Sequence, residues 1–208
     1  MKISDWVPVP KYLQKDEVGR LLAAARGRVR RASAKKKKIA IRDSFIINLG
    51  LSTGLRVMEI AALKCGDLFL EHPVPFLLVR NGKGGKRRIV YFNSRFQRHC
   101  RGYLIWKKKT GEPLGPNDPL LRSSVTGSHL TMRAIQKTFK RCAKKAGLSS
   151  SYSIHCLRHT YACFLLKASN WNIRLVQKQL GHARVATTQV YADVMMPDTR
   201  KAVDRLYQ

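Results

Sequence analysis

The 208-residue sequence predicts a mostly helical α+β fold with one small antiparallel sheet. Three observations lead there. Apolar residues recur at helical spacing through most of the chain, one pair of short apolar runs flanks a glycine-rich tip, and no repeat or linker divides the sequence. A single domain over residues 1–208 is therefore expected.

The elements follow in order. "WVPVPKYLQKDEVGRLLAAA" is an extended, proline-punctuated stretch leading into a helix from about Asp16, where Val18, Leu21, Leu22 and Ala25 keep helical spacing. The acidic residues of its first turn favour the helix dipole. "RVRRASAKKKKIAIR" (28–42) reads as a solvated loop or helix start. As a function it reads equally well as a plain charge run or as a phosphate contact. "RDSFIINLGLSTG" reads as a buried helix closed by Gly54, and "RVMEIAALKCGDL" as a second helix after a tight turn. "PFLLVR" and "RRIVYF" around "NGKGGK" carry the signature of a β-hairpin. "SRFQRHCRGYLIWKKKTG" returns to the helical period, with Phe96, Cys100, Leu104 and Ile105 on one face. "HLTMRAIQKTFKRCAKKAG" is amphipathic, starting near Leu130 or Thr131 and stopping at Gly147, and from His155 to Leu206 one short helix follows another.

Charge narrows the function. Forty-one Lys and Arg against 12 Asp and Glu give a formal +29, which a polyanion must compensate: nucleic acid first, an anionic membrane surface second. Between Asp118 and Asp193 lie twelve basic residues and no acidic one. Chemistry built on paired carboxylates, or on Mg²⁺ held by them, has almost no material in that half. Five cysteines without a C-x-x-C pair argue for a reducing compartment. No apolar run of about 20 residues and no signal-peptide core is present, so a cytoplasmic protein, nucleoid-associated if bacterial, is expected.

Three stretches carry chemistry: "STGLRVMEIAAL" (52–63), "HCLRHTYACFLL" (155–166) and "LGHARVATTQVYADV" (180–194). His155, Arg158 and His159 share one helix face at i, i+3 and i+4. Arg56 follows Gly54 at a helix start, with Glu59 one turn on to orient it. Two arginines from separate segments suit a phosphodiester, because each fork bonds two non-bridging oxygens and stabilises a pentacoordinate transition state. Tyr191 can serve as a covalent nucleophile if cations or a base, supplied by His155, His182 or the arginines, offset its pKa of about 10. The sugar-hydroxyl leaving group needs a proton, for which Lys83 or Lys86 on the hairpin tip is a candidate donor.

These stretches resemble the signature boxes of the tyrosine recombinase (phage integrase) family, in order and in spacing, from about "PKYL" to the end of the chain. The resemblance implies the family's catalytic-domain fold and a site-specific DNA recombinase or integrase that works through a 3′-phosphotyrosyl intermediate without cofactor or metal. By it, Arg56 and Arg158 clamp phosphate and Lys83 protonates the 5′-oxygen. His155 acts as acid/base partner, His182 donates to phosphate, Tyr191 attacks and Glu59 supports from behind. It implies double-stranded DNA as partner, and a dimer or tetramer on DNA whose C-terminal segment, "PDTRKAVDRLYQ", docks on a neighbouring protomer. Two departures stand out. The family's separate N-terminal core-binding domain is not expected in this chain, and Gln14 replaces the usual Ser or Thr cap, which weakens the first helix rather than the function.

Taken alone, a tyrosine in an amphipathic segment is more often core than nucleophile. A zinc set of His155, His159 and His182 is opposed by the intervening arginine and the lack of a following Glu. "GKGGK" alone is weak, because hairpin tips favour glycine anyway. His72, His99, His129, Trp6, Trp106 and Trp171 read as structural or surface residues. A type IB topoisomerase shares the chemistry, and a non-catalytic DNA-binding regulator shares the charge.

Overall fold

The computed structural model describes residues 11–82, 85–182 and 184–195. Its elements are α1 (Lys15–Arg31), α2 (Ala34–Thr53), α3 (Val57–Ala62), β1 (Leu68–Phe69), β2 (Phe76–Val79), β3 (Arg88–Tyr91), α4 (Ser94–Lys109), α5 (Met132–Lys145), α6 (His155–Ala168), α7 (Ile173–Leu180) and α8 (Ala186–Met195). The sheet is antiparallel in the order β1-β2-β3, with Leu77 opposite both Leu68 and Val90. Among the described residues no helix is long and apolar enough to cross a membrane.

α2 is the central pillar because its middle is apolar on every side. Phe45, Ile46, Ile47 and Leu49 are all buried, and α1, α4, α5 and α6 pack around them. Each such side chain stabilises the fold by about 1.5–3 kcal/mol. Phe45 stacks on Tyr103 of α4 with ring centroids 3.9 Å apart. A second, smaller core joins α6, α7 and α8 through Ala162, Cys163, Leu166, Val176, Leu180, Tyr191 and Ala192. α8 is thus fastened to α6.

Three expectations change. The basic run is helical at both ends, broken only at Ala32 and Ser33, because Lys, Arg and Ala are strong helix formers even when repelling one another. The helix after Gly54 stops at Ala62. The Asp67 carboxylate then takes the Lys64 N–H at 2.9 Å in a 3₁₀ turn, and β1 adds a third strand. On α4 the buried residues are Phe96, Cys100, Tyr103 and Lys107, whereas Ile105 is 56% exposed. Lys107 is tolerated inside because its ammonium donates to Glu112 at 2.8 Å and to the Pro119 carbonyl at 3.1 Å.

The helix starts also find caps. Glu17 accepts the Gln14 N–H at 2.9 Å, so α1 is capped from within rather than by the Gln14 side chain. Thr131 caps α5 by accepting the Ala134 N–H at 3.2 Å. Thr131→Ala is expected to cost about 1 kcal/mol in urea unfolding with an unchanged m value. A midpoint equal to wild type would show that the cap carries no stability.

Candidate active site

Glu59 is the hub of one half of the site. Its carboxylate, 1% exposed, accepts from the Arg56 N–H at 2.8 Å and the Arg56 guanidinium at 3.1 Å. It also accepts both ends of the Arg88 fork, at 2.7 and 2.9 Å. Burial alone would raise the Glu59 pKa, but the Arg88 bonds and then Arg56 outweigh it and hold the carboxyl below its ordinary value. Glu59 therefore stays ionised and fixes Arg56, which remains about one fifth exposed. Arg88 also donates to the Gln179 carbonyl at 3.2 Å, and the Tyr91 N–H donates to the Gln179 side chain at 3.2 Å. The hairpin is thereby pinned to α7. Lys83, expected at its tip, lies outside the described residues.

Arg158 organises the other half. α2 and α7 both end in left-handed glycines, Gly54 (φ 60°) and Gly181 (φ 67°), and the last carbonyls of a helix lack partners within it. Arg158 donates to Gly54 O at 2.6 Å and to Leu180 O at 2.9 Å, closing both ends with one guanidinium. Neither glycine admits a side chain: a Cβ would lie 2.4 Å from the Tyr161 ring at Gly54 and 2.7 Å from Arg88 at Gly181. Burial, with Arg56 adding to it, lowers the Arg158 pKa to about 10, so the group is a cation at neutral pH.

Tyr191 enters from α8 and is 4% exposed. Its hydroxyl lies 2.8 Å from Nδ1 of His159. Its ring faces that of His182, with centroids 6.3 Å apart and planes 14° from parallel. His182 in turn bonds Thr188 Oγ1 at 2.9 Å. Burial pushes the Tyr191 phenol up to about 12, against the opposing pull of Arg158 and Arg56. The phenol is therefore neutral, and it lies within the electrostatic reach of its own chain's two arginines. His155 is the first residue of α6 and is exposed.

Of the residues expected from the sequence, Arg56, Glu59, Arg158, His182 and Tyr191 converge, and His155 sits at the rim. Two neighbours were not singled out. Arg88 lies in a hairpin run quoted for its apolar residues, yet it is in phase with buried Val90 on β3, so period-two alternation turns it inward. His159, which the sequence offers only as a helix-face partner or a zinc ligand, instead bonds the Tyr191 hydroxyl. Among the described residues no three His, Cys, Asp or Glu side chains gather as a metal set.

The histidines make stability depend on pH. Burial, then neighbouring positive charge, lowers both His159 and His182 to about 4. An unfolded histidine titrates near 6.5, so between about pH 4 and 6.5 the unfolded chain binds more protons than the folded one. Stability is thus complete above about pH 6.5 and declines on acidification towards 4. Urea midpoints should fall across that window, and a His159→Gln/His182→Gln double variant should flatten the fall. Equal slopes for the two proteins would refute the assignment.

Outside the site, a groove of about 570 Å³ runs from His155 and Ser153 along α5 past Arg133, Lys137, Lys140 and Arg141. Across α5, Lys137 and Arg141 also line a second groove with Arg28, Lys36 and Arg42. The basic run of α1 and α2 thus joins the face that leads to His155.

The sequence model of the phage integrase family matches residues 11–197. Tyrosine recombinase XerD of Caulobacter vibrioides is 36% identical over 190 residues, which cover 90% of this chain and 58% of the relative. Tyrosine recombinase XerC of Vibrio parahaemolyticus is 30% identical over 200 residues, covering 96% and 59%. This chain therefore spans a little under three fifths of those relatives' length. Among solved structures, XerA recombinase superposes with a TM-score of 0.73 at 29% identity, covering 96% of this chain and 66% of that one. XerH bound to palindromic difH substrate, a post-cleavage complex, gives 0.77 at 27%, covering 96% and 54%.

Proposed function

The chain belongs to the phage integrase family, and from that premise we propose that it cuts and rejoins double-stranded DNA site-specifically through a 3′-phosphotyrosyl link on Tyr191. The observation that carries this reading is the placement of the Tyr191 hydroxyl beside His159, close enough to Arg158 and Arg56 for both to act on its ionisation.

In this reading a scissile phosphate takes the place between Arg56 and Arg158. Its negative charge is met by two guanidinium groups already aimed, one by Glu59 and one by two helix ends, so little reorganisation is needed during the reaction. His182 donates to a non-bridging oxygen and His155 acts at the rim as acid or base. Lys83 gives the 5′-oxygen its proton. The phosphotyrosyl bond keeps the energy of the broken phosphodiester, so a 5′-hydroxyl from another duplex can reseal the strand. Exchange needs paired protomers, hence a dimer or tetramer on DNA. The docking of "PDTRKAVDRLYQ" on a neighbour falls outside the described residues. The basic faces along α5 and α2 supply sequence-independent affinity that weakens with salt.

The test begins with duplexes selected for binding from a randomised pool. A nicked suicide duplex of the recovered sequence should give a protein–DNA band that survives denaturation. Binding without such a band would sink the reading and favour a regulator. An adduct that relaxes supercoils but never joins two duplexes would favour a topoisomerase.

A further inference from the structure

We propose that His159 is a catalytic residue of this site, taking the Tyr191 proton onto Nδ1 as the phenolic oxygen attacks phosphorus and returning it on rejoining. The inference rests on the phosphotyrosyl reading above and adds a group that the resemblance does not assign. In cleavage the Tyr191 O–H bond breaks, the oxygen–phosphorus bond forms and the proton moves to His159. The bond from phosphorus to the 5′-oxygen breaks, and that oxygen takes its proton from the general acid. In rejoining the 5′-hydroxyl gives that proton back, and the departing phenolate recovers its own from the imidazolium.

Geometry favours His159 over the histidine one turn earlier. Its Nδ1 is 2.8 Å from the Tyr191 oxygen, a direct hydrogen bond, whereas His155 stands exposed at the start of the same helix. The i, i+4 pair shares one helix face, and it is His159, half-buried, whose imidazole bonds the α8 hydroxyl. The charged and titratable groups around His159 are His155 and Arg158 on its own helix, Tyr191 from α8, and His182 from the turn between α7 and α8. Burial, then His155 and Arg158, keeps His159 unprotonated at neutral pH, which an acceptor requires. A phosphodiester docked on Arg56 and Arg158 brings negative charge into this cationic surround and raises the basicity of the imidazole as the proton arrives.

His159→Gln separates this role from a structural one, because an amide can still accept the phenolic hydrogen bond but cannot take the proton. With the nicked suicide duplex at saturation, His159→Gln should form adduct about 10²–10³-fold more slowly near pH 7. Its rate should climb steadily with pH, where the wild-type rate levels off. Replacing the leaving 5′-oxygen by sulfur, which departs without a proton, should not restore His159→Gln, although it should restore Lys83→Ala. Melting temperature and DNA affinity are measured alongside, with His159→Asn as a second variant should the first misfold. An adduct rate within about threefold of wild type, or rescue by sulfur, overturns the inference and leaves the phosphotyrosyl reading intact. A wild-type protein that binds but forms no adduct overturns both.

Discussion

Tyr191→Phe is expected to abolish the covalent protein–DNA adduct while leaving binding of the same duplex intact. The substitution removes one oxygen and keeps the ring, which belongs to the small buried core with Ala162, Leu166 and Val176. Stability should fall only by the lost bond to His159, about 1–3 kcal/mol if the imidazole nitrogen is left unpaired. A loss of adduct therefore cannot be blamed on unfolding if the melting curve stays cooperative and the duplex still binds. The phenol is neutral at physiological pH, so no phenolate stands ready in the free protein. Adduct yield should rise only when DNA supplies the phosphate. Wild-type adduct yield from Tyr191→Phe would mean that another oxygen attacks, and the nucleophile assignment would be lost.

The same tyrosine shows how far the sequence could be read. Period alone placed the long helices, because apolar spacing such as Val18, Leu21, Leu22 and Ala25 survives any tertiary context. It could not place β1, a two-residue strand held by its neighbours, nor keep the helix after Gly54 from ending at Ala62. Both depend on contacts far along the chain: Leu63 accepts the Leu120 N–H, and Pro119 bridges to Lys64. Ile105 of α4, expected on the inner face, lies outside while Lys107 lies inside, for a similar reason. Lys107 goes inside because Glu112, five residues later, turns back to receive it. Within the site, the boxes marked Arg56, Glu59, Arg158, His182 and Tyr191. What they concealed was the second layer: Arg88 gripping Glu59 from a strand, and His159 touching the phenol from a position beside Arg158.

That second layer explains how distant boxes meet. Arg88 binds α3 through Glu59 and α7 through the Gln179 carbonyl, and α7 leads through Gly181 to His182 and Tyr191. The hairpin strand, Arg56 and the segment that carries Tyr191 are thereby fixed against one side chain. Gly181 lets this happen by keeping clear of Arg88.

Arg158 is where structure and chemistry overlap most, and its variants should separate them. Arg158→Ala is expected to lower the adduct rate at saturating DNA by about 10³-fold or more, since it removes a fixed cation from the developing pentacoordinate charge. It should also destabilise the protein, because Gly54 O and Leu180 O lose a buried donor, at about 1–3 kcal/mol for each carbonyl left unpaired. Arg158→Lys keeps a charge but not the planar fork, and an ammonium cannot hold two carbonyls of different helices and a phosphate oxygen together. It should recover part of the melting temperature and little of the rate. The decisive comparison is made well below the melting point of every variant, with duplex in excess, so that only folded, bound protein is counted. If Arg158→Ala then cleaves at the wild-type rate, its guanidinium is a double helix cap and nothing more. If the rate collapses in Arg158→Lys while its melting temperature returns, the cap and the clamp are separate duties of one side chain.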